Sequence, residues 1–312
     1  MTQEKEHKCI TTNQNGVVAT IGMFDGVHVG HKSVLKVVVD IAKERAMQSA
    51  VVTFFKHPQC ILHSDCSIKM LMPVEDRIKY LKKEDIDEII LINFTKELSQ
   101  LSADGFINML HSKYNVAVLV VGYNHRFGHN REESLRDYIA YGKKIGVEVV
   151  SGKEYKGDFS PVSSSIIRRD VAAGDVETAS KKLGKPFYLR GEVIQGFKNG
   201  RKLGFPTANM ALPDSSLLLP QNGVYAVRVG VPGMGNYDGM CNIGVRPTLG
   251  GKTALSIEVN IFDFDADIYG KEIEIQFIKY IRAEKKMNNL VELSAQLGED
   301  KRKAQEILDS EK

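Results

Sequence analysis

Residues 21–31 read IGMFDGVHVGH, and they follow the apolar run VVATI at 17–21. After them comes HKSVLKVVVDIAKERAM, whose apolar residues recur at spacings of three and four. A buried strand, a tight glycine-containing loop and an amphipathic helix fit this order. In an open parallel sheet such a loop lies beyond the carboxyl end of its strand, where ligands bind. A helix starting near Val29 would turn unpaired N–H groups and the positive end of its dipole toward the loop, which makes an anion site. Gly26 and Gly30 let a phosphate chain approach the backbone. His28 and His31, three apart, share one side of the first turn and can donate to charge developing in phosphoryl or nucleotidyl transfer. Two packing histidines beside a tight turn are the competing reading at this point. The stretch is neither GxGxxG nor GxxxxGK[ST], so neither phosphate-loop fingerprint applies.

Outward from this loop, the chain alternates strand and helix up to about residue 152. VVATIGMF (17–24), AVVTFF (50–55), EIILINF (88–94), VAVLVVG (116–122) and VEVV (147–150) are the strand candidates, with helical stretches between them. Near-continuous apolar strands alternating with helices predict a doubly wound α/β domain with a parallel sheet. Beyond about residue 186 the rhythm changes. GVYAVRV, LSIEVNIFDF and KEIEIQFIKYI alternate with period two, which predicts an antiparallel β-barrel or sandwich. NNLVELSAQLGEDKRKAQEIL returns to helical spacing and predicts a terminal helix. The expected organisation is therefore 1–174 as the first domain, 175–186 as a linker helix and 187–312 as the second domain.

The chain has 312 residues and a net charge of only +3, with no dense basic block, which gives no sign of a nucleic-acid partner. No stretch approaches the ~20 apolar residues of a membrane span, and the polar start MTQEKEHK has no signal-peptide core behind it. The expectation is a cytoplasmic protein without membrane contact, monomeric or a weak homo-oligomer. Its four cysteines form no CxxC pair and are expected as free thiols.

GVHVGH resembles the HIGH-type motif of the nucleotidylyltransferase superfamily, and the longer IGMFDGVHVGH resembles the form found in bacterial riboflavin kinase/FAD synthetases. The second half agrees independently. GRKLGFPTANM (200–210) resembles the flavokinase signature, and NIGVRPT, IEVNIFDFDADIYG and FIKYIRAEKK follow in that family's order. The resemblance implies an N-terminal domain of the nucleotidylyltransferase type that transfers AMP from ATP to FMN, and a C-terminal kinase barrel that makes FMN from riboflavin. ATP, riboflavin and FMN are then the partners and Mg²⁺ the cofactor. It also implies that Gly22, Phe24, Gly26 and Gly30 line the ATP site around catalytic His28 and His31. Asn124, in GYNHRFGHN, follows the fourth strand and becomes a phosphate or adenine contact. SPVSSSIIRRD (160–170) resembles the family's ISSTxIR segment, so Ser164 would bond phosphate and Arg168 would clamp it, with Arg169 a solvated neighbour. Lys56, His125 and Ile166 depart from the family pattern and bear on flavin affinity more than on the chemistry.

In the second half, Thr207 and Asn209 are two apart and face the same side of an extended segment. Their oxygens can converge on a hard cation such as Mg²⁺. Gly204 leaves room for ATP phosphates. Glu258, in SIEVNI, lies on the face opposite its apolar neighbours; by resemblance it is the general base, and a solvated face residue is the alternative. Arg246 and Arg282 are candidates for holding the flavin, or equally for surface ion pairs. A flavin-binding but inactive barrel attached to a working adenylyltransferase is the second reading of the whole chain.

Overall fold

A computed structural model describes residues 15–62, 67–129, 132–196, 200, 203–247 and 253–311. The chain divides into two compact units, Met1–Ser164 and Ser165–Lys312.

In the first unit, β1 (Val17–Ile21), β2 (Gln48–Phe54), β3 (Glu88–Ile92), β4 (Val116–Val121) and β5 (Glu148–Ser151) form one sheet in the order β3-β2-β1-β4-β5. Every pairing is parallel. All five residues of β1 are buried, as a central strand covered on both faces requires. Ala19 and Ile21 pack with Phe106, Leu110 and Tyr138 on one face, while Val18 packs with Leu35, Val38 and Leu81 on the other. The helices behind these contacts are α1 (Val29–Glu44), α3 (Val74–Lys82), α5 (Ala103–Tyr114) and α6 (Leu135–Ile145), with short α2 (Pro58–Leu62) and α4 (Lys96–Ser99) between them. Because the strand order reverses between β1 and β4, the crevice of this sheet opens at their carboxyl ends.

The second unit holds α7 (Ser164–Ala172) from its second residue onward and α8 (Val176–Leu183), then β6 (Phe187–Ile194), β7 (Ala208–Ala211), β8 (Gly223–Val231), β9 (Gly235–Pro247), β10 (Thr253–Ile261) and β11 (Glu272–Arg282). These strands close into a barrel in the order β10-β7-β6-β11-β8-β9, with every pairing antiparallel. Phe187, Tyr225 and Phe277 meet in the barrel core, Tyr225 edge-on to Phe277 at 5.3 Å. The terminal helix α9 (Leu290–Ser310) lays Ala304 and Leu308 against Ala226, Met240 and Phe262 on the outside of the barrel.

Two local expectations need correction. The first strand ends at Ile21 rather than at 24, because the backbone turns into the left-handed region at Phe24 (φ 50°) and cannot continue a ladder. The cysteines are not all free: Cys241 is a buried thiol, but Cys60 is disulfide-bonded. A pairing outside CxxC spacing has no local signature in sequence.

Candidate active sites

The first site grows from the turn between β1 and α1. Phe24, Gly26 and Val27 all have positive φ, at 50°, 86° and 43°. Gly26 adopts this freely, but a β-branched valine there costs about 1–2 kcal/mol. Burial holds it, since Val27 is 1% exposed and its N–H donates to the Phe24 carbonyl at 3.0 Å. The turn delivers His28 as the N-cap of α1, where its Nδ1 accepts the His31 N–H at 3.2 Å. With Nδ1 accepting, the proton of a neutral imidazole sits on Nε2, which is then a donor. The two rings stack at 3.5 Å and 17°, and the Phe24 ring lies 5.0 Å from His31. A Cβ on Gly30 would come within 3.2 Å of the His28 ring, so this glycine makes room for the imidazole. Gly22 does the same for the Phe24 ring, at 3.1 Å. The structure thus brings Gly22, Phe24, Gly26, His28, Gly30 and His31 into one cluster.

Asp25, at the centre of this turn, was not singled out in sequence. It is buried, its two carboxylate oxygens accept the Leu71 N–H at 3.1 and 3.0 Å, and its carbonyl accepts the Ser164 hydroxyl at 2.8 Å. Ser164 is therefore tied directly to the histidine loop. Arg168 lies four residues into α7, half-buried, and Arg169 is exposed.

Beside the crevice, a cavity of about 430 Å³ is lined by Phe54, Phe94, Phe106 and Phe127, with His57, Asn124, His125 and Arg126 supplying polar atoms. Asn124 thus stands at the carboxyl end of β4 facing this cavity rather than within the histidine cluster. His125 is in the wall, its ring 6.2 Å from Phe127, whereas Lys56 is exposed. Ile166 lies in α7, partly buried.

The second site is a product of strand register. Glu258 on β10 stands opposite Asn209 on β7 and Asn242 on β9. Directly opposed residues share a face, so a carboxylate and two amides form a row across three strands. Thr207 immediately precedes β7, and Asn260 donates from Nδ2 to the Pro206 carbonyl at 2.6 Å, fixing the backbone just before it. A side chain at Gly196 would overlap the Asn209 amide, and one at Gly200 would reach within 3.4 Å of the Thr207 hydroxyl. Gly204 faces open space and owes its identity to a φ of 80°. Sequence reasoning missed Gly196, Asn242 and Asn260. The period-two pattern could have found Asn260, since it shares the Glu258 face.

Two cavities meet here. One, about 300 Å³, is lined by Thr207, Asn242, Glu258, Asn260 and Arg282; the other, about 820 Å³, by Pro206, Thr207, Asp265, Asp267 and Tyr269. Thr207 is in both walls. Arg282 is held by fully buried Asp300 of α9, through Nε at 2.8 Å and Nη2 at 2.5 Å. The side chain of Arg246 lies outside the described residues. Beneath the row, burial pushes the Cys241 thiol far above its ordinary range, and the Glu258 carboxylate adds to the shift. Cys241 is therefore inert packing. Among the described residues no group of three or more His, Cys, Asp or Glu could hold a metal ion.

A doubly wound domain with a histidine crevice at its switch point, joined to an antiparallel barrel with a carboxylate beside two cavities, has the layout a two-site transferase for phosphate-bearing substrates would need. Residues 10–166 match the FAD synthetase family model and residues 183–308 the riboflavin kinase model, and the chain belongs to the family of bifunctional riboflavin kinase/FMN adenylyltransferases. It is 37% identical over 305 residues to the Bacillus subtilis (strain 168) protein of that name, covering 96% of this chain and 94% of the relative. It is 33% identical over 302 residues to the Escherichia coli (strain K12) protein of the same name, covering 96% of each. A crystal structure from Streptococcus pneumoniae, described as a macrolide-efflux protein, superposes with a TM-score of 0.87 at 30% identity, covering 96% of this chain and 97% of that one. Among the described residues of the present chain, no helix is long and apolar enough to cross a membrane.

Proposed function

We propose that the two reactions of this enzyme, phosphorylation of riboflavin to FMN and adenylylation of FMN to FAD, are carried by the barrel and by the α/β unit respectively. The observation that carries this reading is the Glu258 row beside Thr207, where two cavities share one wall. That geometry suits a phosphoryl acceptor and a phosphoryl donor brought together at one hydroxyl.

In the kinase step, riboflavin occupies the smaller cavity and the ATP phosphates the larger. Glu258 takes the proton from the ribityl hydroxyl as its oxygen attacks the γ-phosphorus, and ADP leaves. Arg282, oriented by Asp300, borders the flavin, and Arg246 is a second flavin contact. Thr207 and Asn209 supply neutral oxygens, too few charges to bind a free divalent ion strongly but suited to Mg²⁺ arriving with nucleotide phosphates. When bound, Mg²⁺ would spread the charge of the phosphate oxygens. Gly204 gives the loop its turn beside the phosphates.

In the adenylyl step, a phosphate oxygen of FMN attacks the α-phosphorus of ATP and pyrophosphate departs. His28 and His31 donate to the charge that develops there, Ser164 and Arg168 hold phosphate oxygens, and Asn124 contacts the nucleotide. The turn residues Gly22, Phe24, Gly26 and Gly30 shape this site. The aromatic cavity beside it takes the isoalloxazine ring, with His125 in contact. Domain limits of 1–174, 175–186 and 187–312 are part of the proposal. So is a cytoplasmic, monomeric or weakly self-associating protein with no nucleic-acid or membrane partner.

The test is incubation of purified protein with ATP, with and without Mg²⁺, and either riboflavin or FMN, followed by chromatography of the flavins. Riboflavin should yield FMN and then FAD, FMN should yield FAD, and chelation of the metal should stop both. FAD from FMN without FMN from riboflavin would select the inactive-barrel alternative.

A further inference from the structure

One wall of the aromatic cavity in the first unit is loop rather than strand or helix. Residues 124–128 supply it, and Phe127 is its aromatic member. A loop has no ladder to pair its main-chain groups, yet those of a buried residue must be paired, and Phe127 is 8% exposed. Tyr138, on α6 and 1% exposed, meets both needs with one atom. Its hydroxyl accepts the Phe127 N–H at 3.1 Å and donates to the Phe127 carbonyl at 3.1 Å. The two rings stack at 4.2 Å and 15°, and the ring of Phe106, another wall residue, lies 5.6 Å from that of Phe127. The loop is also seated against the start of α5, where a Cβ on Gly128 would come within 2.8 Å of the Ala103 main-chain nitrogen. Tyr138 stands behind this wall rather than in it. A phenylalanine would fill the same space and stack in the same way, so packing accounts for the ring and not for the hydroxyl. A buried hydroxyl is costly unless it is bonded, and this one is directed wholly at a single residue of the cavity wall.

We propose that Tyr138 is a positioning residue for FMN in adenylyl transfer: its hydroxyl stands in for a neighbouring strand at Phe127 and so fixes the loop wall against which the isoalloxazine ring packs. Tyr138 acts through Phe127 and does not touch the flavin. The inference rests on the reading that the aromatic cavity takes the isoalloxazine ring.

The experiment uses the full chain and follows FAD formation from added FMN, at a temperature well below the melting point of each variant. Tyr138→Phe removes one oxygen atom and keeps the stacked ring, so the core stays filled. It should raise the KM for FMN by about tenfold, the scale of one lost buried hydrogen bond. At saturating FMN kcat should be kept, as for a change in binding alone, and the KM for ATP should change less. A purely structural role predicts instead a lower melting temperature with the wild-type KM for FMN. That result would overturn the proposal. Equal rises in the KM values for FMN and ATP would also overturn it, because they mean a general loosening of the unit. Phe94→Ala, at a wall residue on another segment, reports separately on the cavity. An unchanged KM for FMN in that variant removes the cavity reading and the proposal with it. A raised KM there, beside an unchanged one in Tyr138→Phe, removes the proposal alone.

Discussion

The two candidate sites are built in opposite ways. The crevice comes almost entirely from one contiguous stretch, residues 21–31, in which a strand end, a strained turn and a helix start follow one another. The barrel site is assembled from residues on β7, β9 and β10 and the segment before β7, brought level only by antiparallel register. A contiguous site depends on local backbone geometry, so its weak points are its turn and the buried Asp25 carboxylate that braces it. A register-built site depends on the pairing of whole strands, so its weak points are the side chains that the register sets opposite each other.

The sharpest way to break this comparison is at Glu258. Glu258→Gln keeps the size and the register but can hardly accept a proton, so riboflavin kinase turnover should fall by ~10²–10⁴-fold. Conversion of added FMN to FAD and the melting temperature should stay near wild type. Steady-state rates for both reactions decide, and kinase turnover at the wild-type level would make Glu258 a bystander of the row. The mirror experiment is His31→Ala. Loss of one donor aimed at developing charge should cost ~10²–10³-fold in FAD formation while FMN formation persists. Equal effects on both reactions would mean that the two sites are not separate.

The third test moves from side chains to whole units. Glu177 on α8 pairs with Lys279 on β11 at 3.0 Å, and Val176, Ala179 and Leu183 of α8 are buried. A fragment from Ser165 to Lys312 should therefore fold and phosphorylate riboflavin, whereas one starting at residue 187 should be less stable, because it lacks that apolar face. Thermal melts and kinase assays of the two fragments check this, and identical melts would show that α8 contributes nothing to the barrel. The smallest expected effect is confined to the first unit. The side-chain hydrogen bond from Arg45 holds the Glu148 carboxyl below its ordinary range. Such a depressed pKa means that the stabilisation is present above the unfolded-state value and is lost as pH falls through the folded-state value. The pair is exposed, so Glu148→Gln should cost about 0.2–1 kcal/mol at neutral pH and nothing once the carboxylate is protonated in acid. Denaturant melts at neutral and acid pH measure the difference, and kinase activity should not respond.

Much of this molecule could be read from sequence where the information is local. The five apolar runs gave the parallel strands, and the shift to period two near residue 186 gave the barrel, because both patterns follow from which faces are buried. The short helices α2 and α4 were not read, since five and four residues are too few to display a helical period. Gly30 was read as making room for phosphate, while the structure uses it to seat the His28 ring. Asp25 lies inside the quoted motif yet was passed over, because its partner Leu71 is 46 residues away. Asp300 and Gly196 escaped for the same reason: each matters through a contact with a different strand or helix. Thr207, Asn209 and Glu258 stand out through motif resemblance, and the register explains why Asn209 and Glu258 stand level.

Thr207 forms part of the wall of two cavities at once. A change in the bulk of that one side chain would shift the affinities for both occupants together. Parallel loss of both affinities would be one side chain acting twice rather than the two ligands sensing each other, because coupling requires an interaction that changes when both are bound.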